Sequence, residues 1–88
     1  MSITIEAAVI EEQGVKFAVV SVKPHVLQNS AESEQMMQAL RSPFPGVPIV
    51  LAAAWGSGEI RYRGRPDLIR FLETVPWDLL PWGEYSWG

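Results

Sequence analysis

From Val15 to Val22 the chain is apolar at both parities: Val15, Phe17 and Val19 fall on one side of an extended strand, Ala18, Val20 and Val22 on the other. Successive side chains of a strand leave on opposite faces, so a segment of this kind is stable only when both faces are covered. It reads as an interior strand. The run Ile49 to Trp55 is the most buried strand by composition. A chain of 88 residues has material for one core, so the whole sequence, 1–88, reads as one domain built around these two segments.

The neighbouring segments supply the rest of a sheet. Ile3, Ile5, Ala7 and Val9 alternate with Thr4, Glu6 and Ala8, the period of a strand with one buried face. Glu11-Glu12-Gln13-Gly14 then makes the turn of a hairpin, with the glycine placed to take a positive φ. Lys23-Pro24 ends the second strand, because proline cannot donate to a continuing ladder. Asn29 stands three residues before Glu32, the spacing of a helix N-cap with a reciprocal carboxylate, and predicts a helix from about Ser30 to Arg41. Met36, Met37 and Leu40 form its apolar stripe, Arg41 offsets the negative pole, and Pro43 stops it. Gly56-Ser57-Gly58 turns the chain after the second apolar run, and Glu59 to Arg63 returns as a strand. Pro66 at the first helical position and Asp67 beside it open a second helix, with Leu68, Ile69, Leu72 and Val75 inward and Pro76 at its end.

The expected fold is therefore α+β, ordered ββαββα, with a four-stranded, mainly antiparallel sheet, both helices on one face, and an irregular Trp/Pro-rich strap over 75–88. Trp77, Trp82 and Trp87 stand five residues apart, a spacing that fits neither a helix nor a strand. Such a strap has two readings. It lies across the open side of its own sheet and buries its indoles, or part of it stays outside as an interface, where Trp, Tyr and Arg are the dominant residue types. Trp77, Trp82, Tyr85 and Trp87 are the candidate interface residues.

From Gly46 to Val75 the order Gly-Val-Pro, apolar strand, glycine-containing turn, second strand, Gly64 and a helix with Leu68 and Phe71-Leu72 is similar to the last hairpin and helix of thioredoxin-like proteins. The resemblance covers about a third of the chain. It implies a strand-hairpin-helix unit, and in that family the proline corresponding to Pro48 follows a cis peptide bond. The chain has no cysteine, and its first half reads as a hairpin where that family has a strand, a helix and a strand, so the resemblance implies no redox activity.

Composition removes several classes of function. The missing cysteines exclude disulfides, thiolate metal sites and cysteine nucleophiles. The longest apolar run is nine residues, against about 20 for a helix that crosses a bilayer. Met1-Ser2-Ile3-Thr4 lacks the basic start and apolar core of a signal peptide, which gives the cytoplasm as the expected location. His25, the single histidine, has no carboxylate at metal-ligand spacing and reads as an ordinary loop residue. Glu11 and Glu12 read as solvated turn charge, and Met36-Met37 as core filler. Gly56-Ser57-Gly58 lacks the length and the lysine of a phosphate loop. No cofactor, metal site or catalytic set is expected.

Charge is distributed unevenly. The net charge is −3, yet residues 61–70 carry four bases and one acid. Arg61, Arg63 and Arg65, with Arg70 beyond them, form a candidate anion site, since guanidinium forks hold phosphate or carboxylate with paired hydrogen bonds. The competing reading is a solvated edge strand whose charges prevent aggregation and pair with Glu59 or Asp67. Three functions follow: a non-enzymatic protein that binds another protein, as a homodimer; a module for a phosphorylated ligand or single-stranded nucleic acid; or a small enzyme that uses His25 with an acid brought near by folding. An acidic protein argues against general nucleic-acid binding.

Overall fold

The computed structural model describes residues 3–12 and 14–87, except the side chains of Ile3 and Trp87. Strands β1 (Ile3–Glu12) and β2 (Val15–Ser21) form the antiparallel hairpin, in register from Glu12↔Val15 to Glu6↔Ser21. Gly14 takes φ 79° in its turn, a conformation that costs a residue without Cβ nothing. Gln13 lies outside the described residues.

Pro24 ends the strand and also starts a helix, α1 (Pro24–Gln28), because a fixed φ and a missing N–H suit the first helical position. Helix α2 (Ser30–Ala39) follows at once, with the Asn29 side chain accepting from the Glu32 amide at 3.1 Å. The two helices are tied together inside: the buried Ser33 hydroxyl donates to the carbonyl of Val26, which satisfies an orphan acceptor at the end of α1. The chain then enters β3 (Ile49–Ala54), and β4 (Ile60–Arg63) returns beside it. Helix α3 (Pro66–Leu72) and a 3-10 turn (Trp77–Leu79) lead to β5 (Trp82–Trp87).

The five strands lie in the order β4-β3-β2-β1-β5. All neighbours are antiparallel except β2 and β3, which run parallel from Ala18↔Ile49 to Ser21↔Ala52. A parallel pair needs a crossover rather than a hairpin, and α1 with α2 is that crossover. The fold is thus α+β with a mixed five-stranded sheet and three helices.

Three expectations are corrected. The sheet has five strands, not four, because the segment expected as an irregular strap contributes β5, paired with β1 from Ile3↔Trp87 to Ala8↔Trp82. It is mixed, because the two most apolar strands sit side by side at its centre and point the same way. The helices cover opposite faces: α1 and α2 pack with Ala18, Val20 and Leu51, while α3 packs with Phe17, Val19, Val50 and Ala52. Strands that are apolar at both parities demand this division. No peptide bond among the described residues is cis, and the bond before Pro48 is trans.

Gly64 leaves β4 where a Cβ would stand 3.1 Å from Val50 Cγ2 and 3.2 Å from the Ile49 carbonyl oxygen, so this position holds the chain close to β3. Phe17 has no exposed surface and meets Phe71 edge-to-face at 6.3 Å, which locks α3 to the centre of the sheet. Phe17→Ala should cost about 3–5 kcal/mol in urea unfolding, a large part of the stability of a domain this small.

Candidate functional site

Arg61 and Arg63 project from β4 on the face covered by α1 and α2, since Tyr62 between them packs into the α3 side. Arg61 is held locally: it pairs with Glu59 at 3.2 Å and lies over the Trp55 ring at 5.0 Å. Arg65 caps α3 from outside the strand and pairs with Asp67 through Nε at 3.2 Å and Nη2 at 2.8 Å. That hydrogen bond, followed in size by opposing desolvation and by the Arg65 charge, leaves the Asp67 carboxyl below its usual range. Arg70 is exposed in the last turn of α3.

Arg63 differs from these. Its Nη1 donates to the Leu27 carbonyl at 3.3 Å and its Nη2 to Ser30 Oγ at 3.4 Å, so β4 is pinned to the α1–α2 junction by a cation whose partners are neutral. The four arginines therefore do not act as one stripe. Two already hold acids, one lies on α3, and Arg63 alone turns into a cleft between α2 and β4. That cleft measures about 500 Å3 and brings Arg63 and Gly64 together with Glu34, Met37 and Arg41 of the α2 segment. Arg41 was legible only as a helix-end charge, because its approach to Arg63 depends on the crossover.

The aromatic residues divide in the same way. Trp77 and Trp82 stack with centroids 4.7 Å apart, Trp82 Nε1 donates to the Trp77 carbonyl at 2.9 Å, and both are half-buried against the α3 side. Tyr85 turns to the other face and meets Phe44 at 5.2 Å. The Trp87 backbone belongs to β5, and its side chain lies outside the described residues. Leu79, between the two tryptophans, is 73% exposed.

His25 is better organised than a loop residue. Its Nδ1 donates to Glu32 Oε2 at 2.9 Å, across the α1–α2 corner, with both side chains well exposed. Glu32 thus serves His25 with its carboxylate instead of reaching back to its own N-cap. A second cleft, about 530 Å3, joins His25 to Glu6 and Lys23 over an apolar floor of Val22 and Met36. The sequence carried a signal for this contact in Pro24, which starts α1 and sets His25 on it.

Among the described residues no helix is long and apolar enough to cross a membrane. No family model matches the chain, and comparisons with curated proteins and with solved structures return no significant match.

The Tyr62 hydroxyl is raised above its ordinary value of 10.0, first by burial and then by the Glu73 carboxylate. The folded state therefore holds this proton more tightly than the unfolded chain does. Its stabilising effect is complete below pH about 10 and is lost as pH rises through the folded value. Unfolding followed between neutral and strongly alkaline pH should show a decline that Tyr62→Phe makes shallower.

Proposed function

We propose that this chain is a non-enzymatic binding protein that associates with a second copy of itself through the outer edge of β5. One observation carries the reading: β5 is a six-residue edge strand whose pairing with β1 runs unbroken over its whole length, with no proline and a single charge, Glu84. Soluble proteins normally blunt such an edge with a charge, a proline, a bulge or a very short strand, because its free amide and carbonyl groups template further pairing. The opposite edge is blunted by its length and by two charges. β4 is four residues long and carries Arg61 and Arg63.

The side chains of β5 favour the same reading. Trp82 on one face and Tyr85 on the other are each half-buried, so a strand added beside them would complete their cover on both sides of the sheet. Exposed Leu79 precedes the strand on the same side of the chain order and adds apolar surface. An edge-to-edge pair related by a two-fold axis is self-complementary, the commonest arrangement of soluble homo-oligomers.

Sedimentation at tens of micromolar should give twice the 9.8 kDa chain mass. Replacing Glu84 and Ser86 together by lysine raises the like charge on each edge from one group to two and should weaken association roughly tenfold or more while circular dichroism stays unchanged. A wild-type chain that remains monomeric under these conditions overturns the proposal.

A further inference from the structure

The geometry points to a small-molecule site in the cleft between α2 and β4, for an elongated ligand with an anionic group at each end and an apolar middle. This goes beyond association through β5, which lies at the other edge of the sheet.

Three features carry the inference. First, the cleft has uncompensated positive charge. Arg61 and Arg65 each have an acid at hydrogen-bond distance, whereas Arg41 and Arg63 form no ion pair among the described residues. Glu34 is the one acid in the lining, which leaves the cleft at net +1 inside a chain of net −3. Second, Arg63 is prepared for an anion. Two of its nitrogens are fixed on Leu27 and Ser30, so the guanidinium is held in place with donors left over, and little side-chain entropy remains to be lost on binding. Third, the two cations mark opposite ends. Arg63 meets Ser30, the first residue of α2, while Arg41 follows the last, Ala39. At about 1.5 Å per helical residue their anchor points stand roughly 16 Å apart along α2, a gap that the Arg41 side chain, the one of the two that is not fixed, shortens to about 10 Å when it bends toward Arg63.

Between these ends the wall is Met37, an adaptable apolar side chain, and Gly64 lines the β4 side. The volume, about 500 Å3, falls in the ordinary range for sites of small organic ligands. A methylene chain along Met37 with a carboxylate on Arg63 and another on Arg41 satisfies both charges. A compact anion reaches one of them only.

The test is an amide-resolved NMR titration of the full chain at low salt with three probes: sebacate, succinate and decanoate. Sebacate should shift Ser33 to Arg41 and Arg63-Gly64 saturably and bind about tenfold more tightly than succinate or decanoate, which engage a single cation. Arg63→Gln and Arg41→Gln should each remove that advantage, while Arg70→Gln leaves it intact. Arg41 is exposed, so its variant keeps the test decisive even if Arg63→Gln loosens the α1–α2 junction. Equal affinity for the three probes, shifts that do not saturate, or an advantage that survives Arg41→Gln each overturns the site.

Discussion

The parallel pairing of β2 with β3 is the constraint on which the rest of this structure depends. Ala18, Val19 and Val20 face Ile49, Val50 and Leu51 across it, and the paired strands have apolar side chains above and below the sheet. Two strands of the same direction cannot be joined by a tight turn, so the chain must leave the sheet and come back over one face. The crossover places α1 and α2 there. The other face is then closed by α3, the Trp77–Leu79 turn and Trp82. Each functional feature inherits this layout: the α2–β4 cleft exists because the crossover passes above the edge strand, and His25 meets Glu32 because the crossover bends at Asn29.

How much of this the sequence reveals depends on distance along the chain. Both hairpins are local and appear in the structure, with the positive φ of Gly14 and the two helix starts at Asn29 and Pro66, whereas β1, read as a strand with one buried face, is covered on both, Ala7 in one core and Ala8 in the other. The parallel contact is not local and leaves no mark that an antiparallel interior strand would not leave. Helix α1 was hidden because its five residues are too few to show a period and its proline reads equally well as a strand end. Strand β5 was hidden by its aromatics. Trp82, Glu84 and Ser86 share one face, and Gly83 and Tyr85 lie on the other, so neither face is cleanly apolar.

The site shows the same limit. The arginines were readable as residue types, and the acids that neutralise Arg61 and Arg65 sit only two positions away in sequence. What could not be read was which cation would be left without an acid. Arg63 gains its fixed position from Leu27 and Ser30, more than thirty residues earlier, and Arg41 comes to the same cleft from the end of α2. Strand parity alone separates Tyr62 from Arg61 and Arg63, because that inference needs no knowledge of the partner strand.

The pairing of β1 with β5 has a kinetic consequence. Ala8 meets Trp82 and Ile3 meets Trp87, so this ladder joins the two most distant parts of the described chain. Closing so long a loop carries an entropic cost that grows slowly with length but is met before any contact across it can repay it. The hairpin of β1 and β2 has no such delay and offers a finished edge on which β5 docks. Topology therefore favours an order in which the β1–β2 hairpin forms early and β5 docks on it late, and under stress β5 is the strand whose release leaves the outer edge of β1 in water.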